Sequence, residues 1–582
     1  MKHNRIKNIF KNGIYLFLVL CLLLGLPLIS SCAGPSQPTQ TPTSPSATPS
    51  SPSPTPTKEE VKVIRHTDSW PCYIDPAVGS DYVASISLCN LYDSLVFPNP
   101  DGSVKPWLAK SWTVSDDGLT YTFNLQQGVK FHNGDELTAE DVVFSLQRIM
   151  AIGEGYGYLF TTSVKEAKAL DKYTVQFTLE KPFGPFLGVL VRLYILNKKQ
   201  VMANIQKDGP YGEFGDYGKG WLVTHDAGSG PYMIKDMKTE EYVLMERFDD
   251  YWAGWENKDA PKYVKEIGTT EAITVRTLMS RGELEITDQW QTSENLDAIS
   301  KLPNTDLCSF FEGSVLNIMI NTKKAPTDDI HFRKALAYCV DYQQIIDKVF
   351  PGSRASTAIP ASVPGYNPNL KPYSLDLTKA EEELKQSPYY GKLDQYPFEL
   401  HWVSEVPDEE KIALMVQANA AKLGIKVNVV KVPWASVVDN LAKPETTPNG
   451  VIIFVSAHYA EAGSLLESRY HSRSCGTWEQ GEWLQDPEID SMIEDAIATV
   501  NLKERFQKYY AVQEKIFDLC PTIWVLEQAV RQAYRKDYVV FPAAEAMKQG
   551  MPVNPVMGYN FYYRDFKVFP EKAQQPYTSF QP

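Results

Sequence analysis

The side chains able to do chemistry in this chain are cysteines, histidines, carboxylates and aromatic rings, and their spacing points to binding. The eight histidines form no HExxH pair, and no GxSxG elbow or phosphate-cradling glycine loop is present. The 71 acidic residues offer no pair that spacing alone marks as catalytic. Six of the eight cysteines lie beyond residue 32, at Cys72, Cys89, Cys308, Cys339, Cys475 and Cys520, without a CxxC pair. That argues against a metal cluster or a thioredoxin-like centre, and no metal or cofactor is expected. In an exported protein an even number permits disulfides, and Cys72 with Cys89, close in sequence, is the expected pair; buried free thiols are the alternative. The 32 Tyr and 12 Trp suit a core and also a ligand cleft, where rings stack and polar tips anchor.

Cys32 carries a different chemistry. Lys2, Arg5, Lys7 and Lys11 precede an apolar run from Ile14 to Ile29, and Ile29-Ser30-Ser31-Cys32 resembles a bacterial lipobox. Residues 1–31 then read as a signal peptide and Cys32 as the lipidated first residue of the mature chain. The apolar run is 16 residues with Gly25 and Pro27 inside it, whereas a spanning helix needs roughly 20. Residues 32–59 follow as a tether. Gly34 to Thr57 holds eight prolines in 24 residues, no charge and no bulky apolar side chain. Such a segment cannot offset its ordering entropy by burial, and it reaches up to roughly 70 Å when extended. The expected location is extracytoplasmic, held to the membrane by lipid.

The net charge is −14, and the leader holds four basic and no acidic residues, leaving −18 beyond it. That argues against nucleic acid as a partner class and weakly favours a neutral or cationic ligand. About 520 residues after the tether are enough for two or three domains.

The elements that must position a site are legible in part. Tyr121 to Leu125 alternates as a strand, His132 to Asp135 is turn chemistry, and Thr138 opens a helix with Glu140 and Asp141 in its first turn. Val315 to Asn321 reads as a strand, and Phe332 to Phe350 as a helix interrupted near Asp341. Phe398 to Val403, Ile425 to Val432, Val451 to Val455 and Thr522 to Leu526 read as further strands. Ile412 to Leu423 forms one helix face before Gly424, and helices are expected near 488–500 and 503–519. This order is that of an α/β lobe.

The runs Leu91-Tyr92-Asp93-Ser94-Leu95, Pro106-Trp107-Leu108-Ala109-Lys110-Ser111-Trp112, Phe131-His132-Asn133-Gly134-Asp135 and Thr138-Ala139-Glu140-Asp141 together resemble the signature of the family 5 solute-binding proteins. These are the peptide- and nickel-type receptors of ABC importers. Lys181-Pro182-Phe183, Gly228-Ser229-Gly230-Pro231-Tyr232, Asp250-Tyr251-Trp252, Phe332-Arg333-Lys334 and Pro433-Trp434 follow in the family's order. The resemblance implies a periplasmic-binding-protein-like α/β fold of two lobes built from three domains, with the ligand cleft between them. Lobe one would combine 60–104, 228–312 and 530–582, with 105–227 as an inserted second domain. Residues 313–529 would form lobe two. It also implies a monomeric receptor that closes on a small solute and presents it to a membrane permease.

Peptide-binding members carry Trp-x-x-Asp after a lobe-two strand, where the Asp holds the peptide's ammonium. Here Val455 replaces the Trp and His458 the Asp, with Tyr459 and Glu461 just beyond. Ser404-Glu405 stands where dipeptide-binding members place an Arg. A zwitterionic dipeptide is therefore disfavoured, because a buried ammonium without a carboxylate is costly. The resemblance makes Trp434, His458, Tyr459, Glu461, Glu405, Gly79, Ser80 and Trp70 the candidates for the cleft, with Tyr73 as a further wall; the alternatives are lobe packing for Trp434, a satisfied loop histidine for His458 and a solvated charge for Glu405, and Trp402 is as much core as pocket. An oligopeptide is the first expectation. An oligosaccharide, a metal chelate, a sensory role without transport, and a secreted hydrolase are the alternatives.

Overall fold

The computed structural model describes residues Glu60–Pro582. The leader, Cys32 and the tether lie outside the described residues. Among the described residues no helix is long and apolar enough to cross a membrane.

Three sheets organise this part. The N-terminal sheet runs Val63–Asp68, Tyr263–Gly268, Tyr242–Arg247, Tyr232–Lys238, with the first pair parallel and the rest antiparallel. The buried helix Tyr82–Leu91 packs on it. Asp81 caps this helix by accepting from the Ala84 N–H at 2.8 Å, and nine of its ten residues are buried. It has no solvent face because the C-terminal segment covers it. A side chain at Gly558 would strike the Ser85 backbone at 2.6 Å, so only glycine lets the two backbones approach.

The insert sheet is an antiparallel arrangement of Ala109–Val114, Thr120–Leu125, Thr174–Leu179 and Val164–Asp171. Thr120–Leu125 shows the expected alternation of buried and half-buried positions. The helix Ala139–Ile152 lies on this sheet, opened by a capping box in which Asp141 accepts from the Thr138 N–H at 2.9 Å.

The large sheet has the order Gly352–Arg354, Thr522–Arg535, Thr305–Ile320, Gly450–Ser456, Phe398–Val403, Val427–Val432. Its long strands Thr305–Ile320 and Thr522–Arg535 outrun the expected Val315–Asn321 and Thr522–Leu526. The periodicity breaks where the strand bends: pairing shifts register between Phe311 and Val315, and Gly313 takes φ 79°. Beyond the bend the two strands run on to the N-terminal sheet, which they reach through the bridge of Ile286 to Tyr534 and His66. The expected helix break at Asp341 is a cap, Asp341 accepting from the Gln344 N–H at 3.1 Å.

One sequence expectation is corrected. Cys72 and Cys89 are not joined; all six described cysteines are free. Cys89 points from its helix into the core, where its thiol donates to the carbonyls of Ile86 and Gly558, while Cys72 sits half-buried in the loop after the first strand. Closeness in sequence did not bring the side chains onto one face.

The family-like motifs converge on one buried group. Asp93 accepts from Trp107 Nε1, Trp252 Nε1 and the Tyr251 hydroxyl at 2.8 Å each, and from Ser229 Oγ at 2.9 Å. Four stretches distant in sequence are thereby tied together beneath the insert.

Candidate functional site

The N-terminal and insert sheets meet the large sheet and its helices along a buried face. Contacts cross it at several points: the Gly184 N–H donates to Ile497 O at 2.8 Å and Ser293 Oγ to Val349 O at 3.0 Å, and at its exposed rim Lys411 pairs with Glu294 at 2.7 Å. Two chemically distinct patches lie on this face.

The first is built around His458, just after the strand Gly450–Ser456. Its backbone N–H donates to Ser464 Oγ at 2.8 Å, and its carbonyl accepts from Arg192 Nε at 2.7 Å. On the ring, the Tyr158 hydroxyl lies on Nδ1, and Nε2 is 3.3 Å from Glu479 Oε1. Burial lowers the imidazole pKa below its ordinary value and Arg192 adds to this, while Glu479 opposes it. A neutral ring accepts from the Tyr158 hydroxyl at Nδ1, with Nε2 turned towards Glu479. Tyr156 stands edge-on at 5.4 Å, and the fully buried Arg192 guanidinium lies over the Tyr156 ring at 4.7 Å. Glu479 Oε2 and the Tyr459 hydroxyl are buried here without a hydrogen-bond partner.

The second patch is acidic and aromatic. Asp68 ends the first strand; Asp288 lies beside it, accepting from Thr67 Oγ1 at 2.9 Å and Gln291 Nε2 at 2.8 Å. Glu266 faces His66 across the parallel pair and accepts from Ser87 Oγ at 2.6 Å. Glu312, at the bend of the long strand, accepts from Asn560 Nδ2 at 2.8 Å and from the Tyr82 hydroxyl at 3.2 Å. Burial raises all four acids: Asp288 to about 6, Glu266 to about 7, Glu312 to about 8, and Asp68 well above the carboxylate range, with Asp288 and Glu266 adding repulsion at Asp68. Tyr82 and Trp290 have ring centres 6.4 Å apart, and Trp290 reaches Phe454 of the large sheet at 5.8 Å.

The residues expected at the cleft divide between these patches and other tasks. His458 and Tyr459 are at the centre of the first. Trp434 is half-buried and edge-on to Trp478 at 5.0 Å; Trp478 neighbours Glu479, so Trp434 adjoins the same patch. Glu405 turns its carboxylate to the Trp434 N–H, with both oxygens at 3.1 Å, and caps the helix Trp434–Leu441. Glu461 is held by Arg505 in a two-point pair at 2.8 Å and by the Tyr509 hydroxyl at 2.6 Å, which leaves it no free edge for a ligand. Gly79 is buried against Ala84 and Tyr73, and the Ser80 carbonyl lies 3.4 Å from the Tyr156 hydroxyl. Trp70 is 52% exposed on its loop, and Trp402 is buried core. Sequence reasoning missed Tyr156, Tyr158, Arg192 and Glu479, which come from three separate segments, and it missed the whole acidic patch. Neither Asp68 nor Asp288 is marked in the sequence, since Val63-Ile64-Arg65-His66-Thr67 and Leu284-Glu285-Ile286-Thr287 before them are already broken by charged residues.

A description of protein families, "Bacterial extracellular solute-binding proteins, family 5 Middle", matches residues 103–477. The chain is 27% identical over 496 residues to the probable D,D-dipeptide-binding periplasmic protein DdpA of Escherichia coli K12, covering 83% of this chain and 92% of that protein. It is 28% identical over 490 residues to the dipeptide-binding protein of the same organism, covering 78% and 87%. It is 27% identical over 477 residues to the nickel-binding periplasmic protein, again covering 78% and 87%. Among solved structures, the Helicobacter pylori periplasmic binding protein DppA in complex with the peptide STSA superposes with a TM-score of 0.74 at 23% identity, covering 88% of this chain and 98% of that one. NikZ from Campylobacter jejuni in complex with Ni(L-His) also gives 0.74, at 20% identity, covering 88% and 100%.

Proposed function

Because the chain belongs to the family 5 bacterial extracellular solute-binding proteins, the substrate-binding components of ABC importers, we propose that its buried inter-sheet face is the ligand cleft and that it captures an oligopeptide there. The lobes we assign are 60–104, 228–312 and 530–582 for the first, with 105–227 inserted, and 313–529 for the second. The observation that carries this reading is the His458 patch. Tyr158 and Arg192 from one side meet His458 and Glu479 from the other, so polar groups of both bodies converge where a ligand would bridge them. Burying so many polar groups between two bodies costs more than burying apolar ones, which fits a face whose task is to open and close.

His458 in place of a carboxylate, and Glu461 engaged by Arg505, argue against a ligand held by its ammonium on this loop. An oligopeptide held chiefly through its backbone fits better. We further propose that the chain is tethered outside the cell through lipid on Cys32, as the lipobox-like run and the Pro-rich segment suggest.

Mass spectrometry of co-purifying ligand, followed by thermal-shift screening of tri- to pentapeptides, tests the substrate class. Binding that weakens at least tenfold in His458→Ala and Trp434→Ala supports the cleft. Unchanged affinity in both variants places the site elsewhere. Stabilisation by a nickel–histidine chelate or an oligosaccharide in place of peptides would replace the substrate class and leave the receptor role standing.

A further inference from the structure

The acidic patch is unusual in having no cation. Among the described residues no lysine or arginine lies within ion-pair distance of Asp68, Glu266, Asp288 or Glu312; the only basic neighbour is His66, whose Nε2 is 3.9 Å from Asp68 Oδ2. That imidazole is 1% exposed, both of its nitrogens lack hydrogen-bond partners, and burial pushes its pKa down to about 3, so it supplies no positive charge at neutral pH. Asp68 itself is 2% exposed. One of its oxygens accepts from the Ser69 N–H at 2.8 Å, and among the described residues no donor reaches the other. A buried carboxylate with an unused oxygen costs free energy unless a proton or a cation meets it.

The surroundings favour a cation. Tyr82 and Trp290 border the patch edge to face, the Tyr82 hydroxyl donating to Glu312 at 3.2 Å and the Trp290 backbone N–H to Asp288 Oδ1 at 2.9 Å, and aromatic rings attract ammonium and guanidinium groups through their negative faces. Asp68 and Asp288 sit where the first strand and the Leu284–Gln291 segment end, and the carboxyl ends of sheet strands are where open α/β folds take ligands. Phe454 reaches Trp290 from the large sheet, so the patch lies on the closing face, and closure dries it.

We propose that this patch is a cation subsite of the cleft, where an ammonium or guanidinium group of the ligand lies against Asp68 and Asp288 with Tyr82 and Trp290 as its walls. The charge absent from the 455–461 loop is then supplied from the opposite side of the cleft. The inference rests on the cleft reading above and adds a requirement that reading does not contain, namely a positive charge on the ligand.

The test is isothermal titration of the purified protein with four probes: Ala-Ala-Ala, N-acetyl-Ala-Ala-Ala, Ala-Arg-Ala and agmatine. Asp68→Asn and Asp288→Asn are titrated alongside, with Glu256→Gln as a remote control. The amide of Asp68→Asn carries no charge to desolvate, so this variant should unfold no earlier than the parent, and lost binding will not reflect lost folding. The subsite is supported if the probes with a free positive charge bind at least tenfold more tightly than N-acetyl-Ala-Ala-Ala and if either asparagine variant removes that preference. If agmatine binds and no peptide does, the subsite stands and the oligopeptide reading falls. If N-acetyl-Ala-Ala-Ala binds as well as Ala-Ala-Ala and Ala-Arg-Ala, the subsite is overturned and the oligopeptide reading stands. Binding of none of the charged probes, or equal binding to parent and both asparagine variants, also overturns it.

Discussion

Asp93 and Asp68 are both buried aspartates on the same side of the molecule, and they are solvated by the protein in opposite ways. Asp93 takes four side-chain donors, two of them indole N–H groups. Asp68 takes one backbone N–H and faces other acids. Burial raises both pKa values, but at Asp93 the four donors oppose the shift, whereas at Asp68 repulsion from Asp288 and Glu266 adds to it. The lesson is that a buried charge declares its role through its partners. A carboxylate whose four hydrogen bonds are supplied from three separate stretches is holding the fold together. One whose partners are missing is poised for something outside the chain.

Removing each carboxylate should break this comparison most sharply. Asp93→Ala strands four donors, two of them half-buried indoles, and should cost about 3 kcal/mol or more. Asp68→Asn should leave the unliganded protein as stable as the parent or more so. Urea midpoints of the two variants check this. Equal losses would mean that Asp68 is also a structural anchor.

The pH dependence sharpens the same contrast. Folding raises Asp288 from 3.8 to about 6, Glu266 from 4.5 to about 7 and Glu312 from 4.5 to about 8. Between those lower and upper values the folded chain holds more protons than the unfolded one. These groups therefore stabilise fully below the unfolded pKa values, and that stability is lost as pH rises through the folded ones. The unliganded protein should melt at a lower temperature at pH 8 than at pH 5.5, by roughly 1 °C for each kcal/mol lost in a folded part of this size. Glu312→Gln should flatten the slope, and so should a bound cationic ligand, since a cation takes the place of the protons. A slope that survives in Glu312→Gln, Glu266→Gln and Asp288→Asn together would locate its origin elsewhere.

These two aspartates also mark how far the sequence could be read. The motifs around Asp93, Trp107, Ser229 and Trp252 were legible as a family-like pattern, because a knot of that kind needs those residue types at those places. Strands and helices with clear alternation or caps, such as Thr120–Leu125 and Ala139–Ile152, were legible for the same local reasons. The long strands were under-read because the bend at Gly313 breaks their periodicity. The site was harder. His458 could be found by position along one loop, but its partners Tyr158, Arg192 and Glu479 are set by how separate bodies meet, and no spacing records that. Asp68 reads in sequence as an ordinary charged residue ending a strand, since what distinguishes it is the absence of a partner.

Glu405 offers the smallest effect and a third point on the comparison. It lies just after the strand Phe398–Val403, and the structure turns it onto the first N–H of the helix Trp434–Leu441. A carboxylate there answers a backbone donor and the positive helix end, and replacing it costs about 0.5–2 kcal/mol as caps do. Glu405→Ala should accordingly lower the urea midpoint slightly and leave the affinity for a bound peptide within about threefold, a change of less than 1 kcal/mol. A larger loss of affinity with an unchanged midpoint would mean that Glu405 leaves the helix to meet the ligand. Its partner would then be visible only in the complex, as the partner of Asp68 is argued to be.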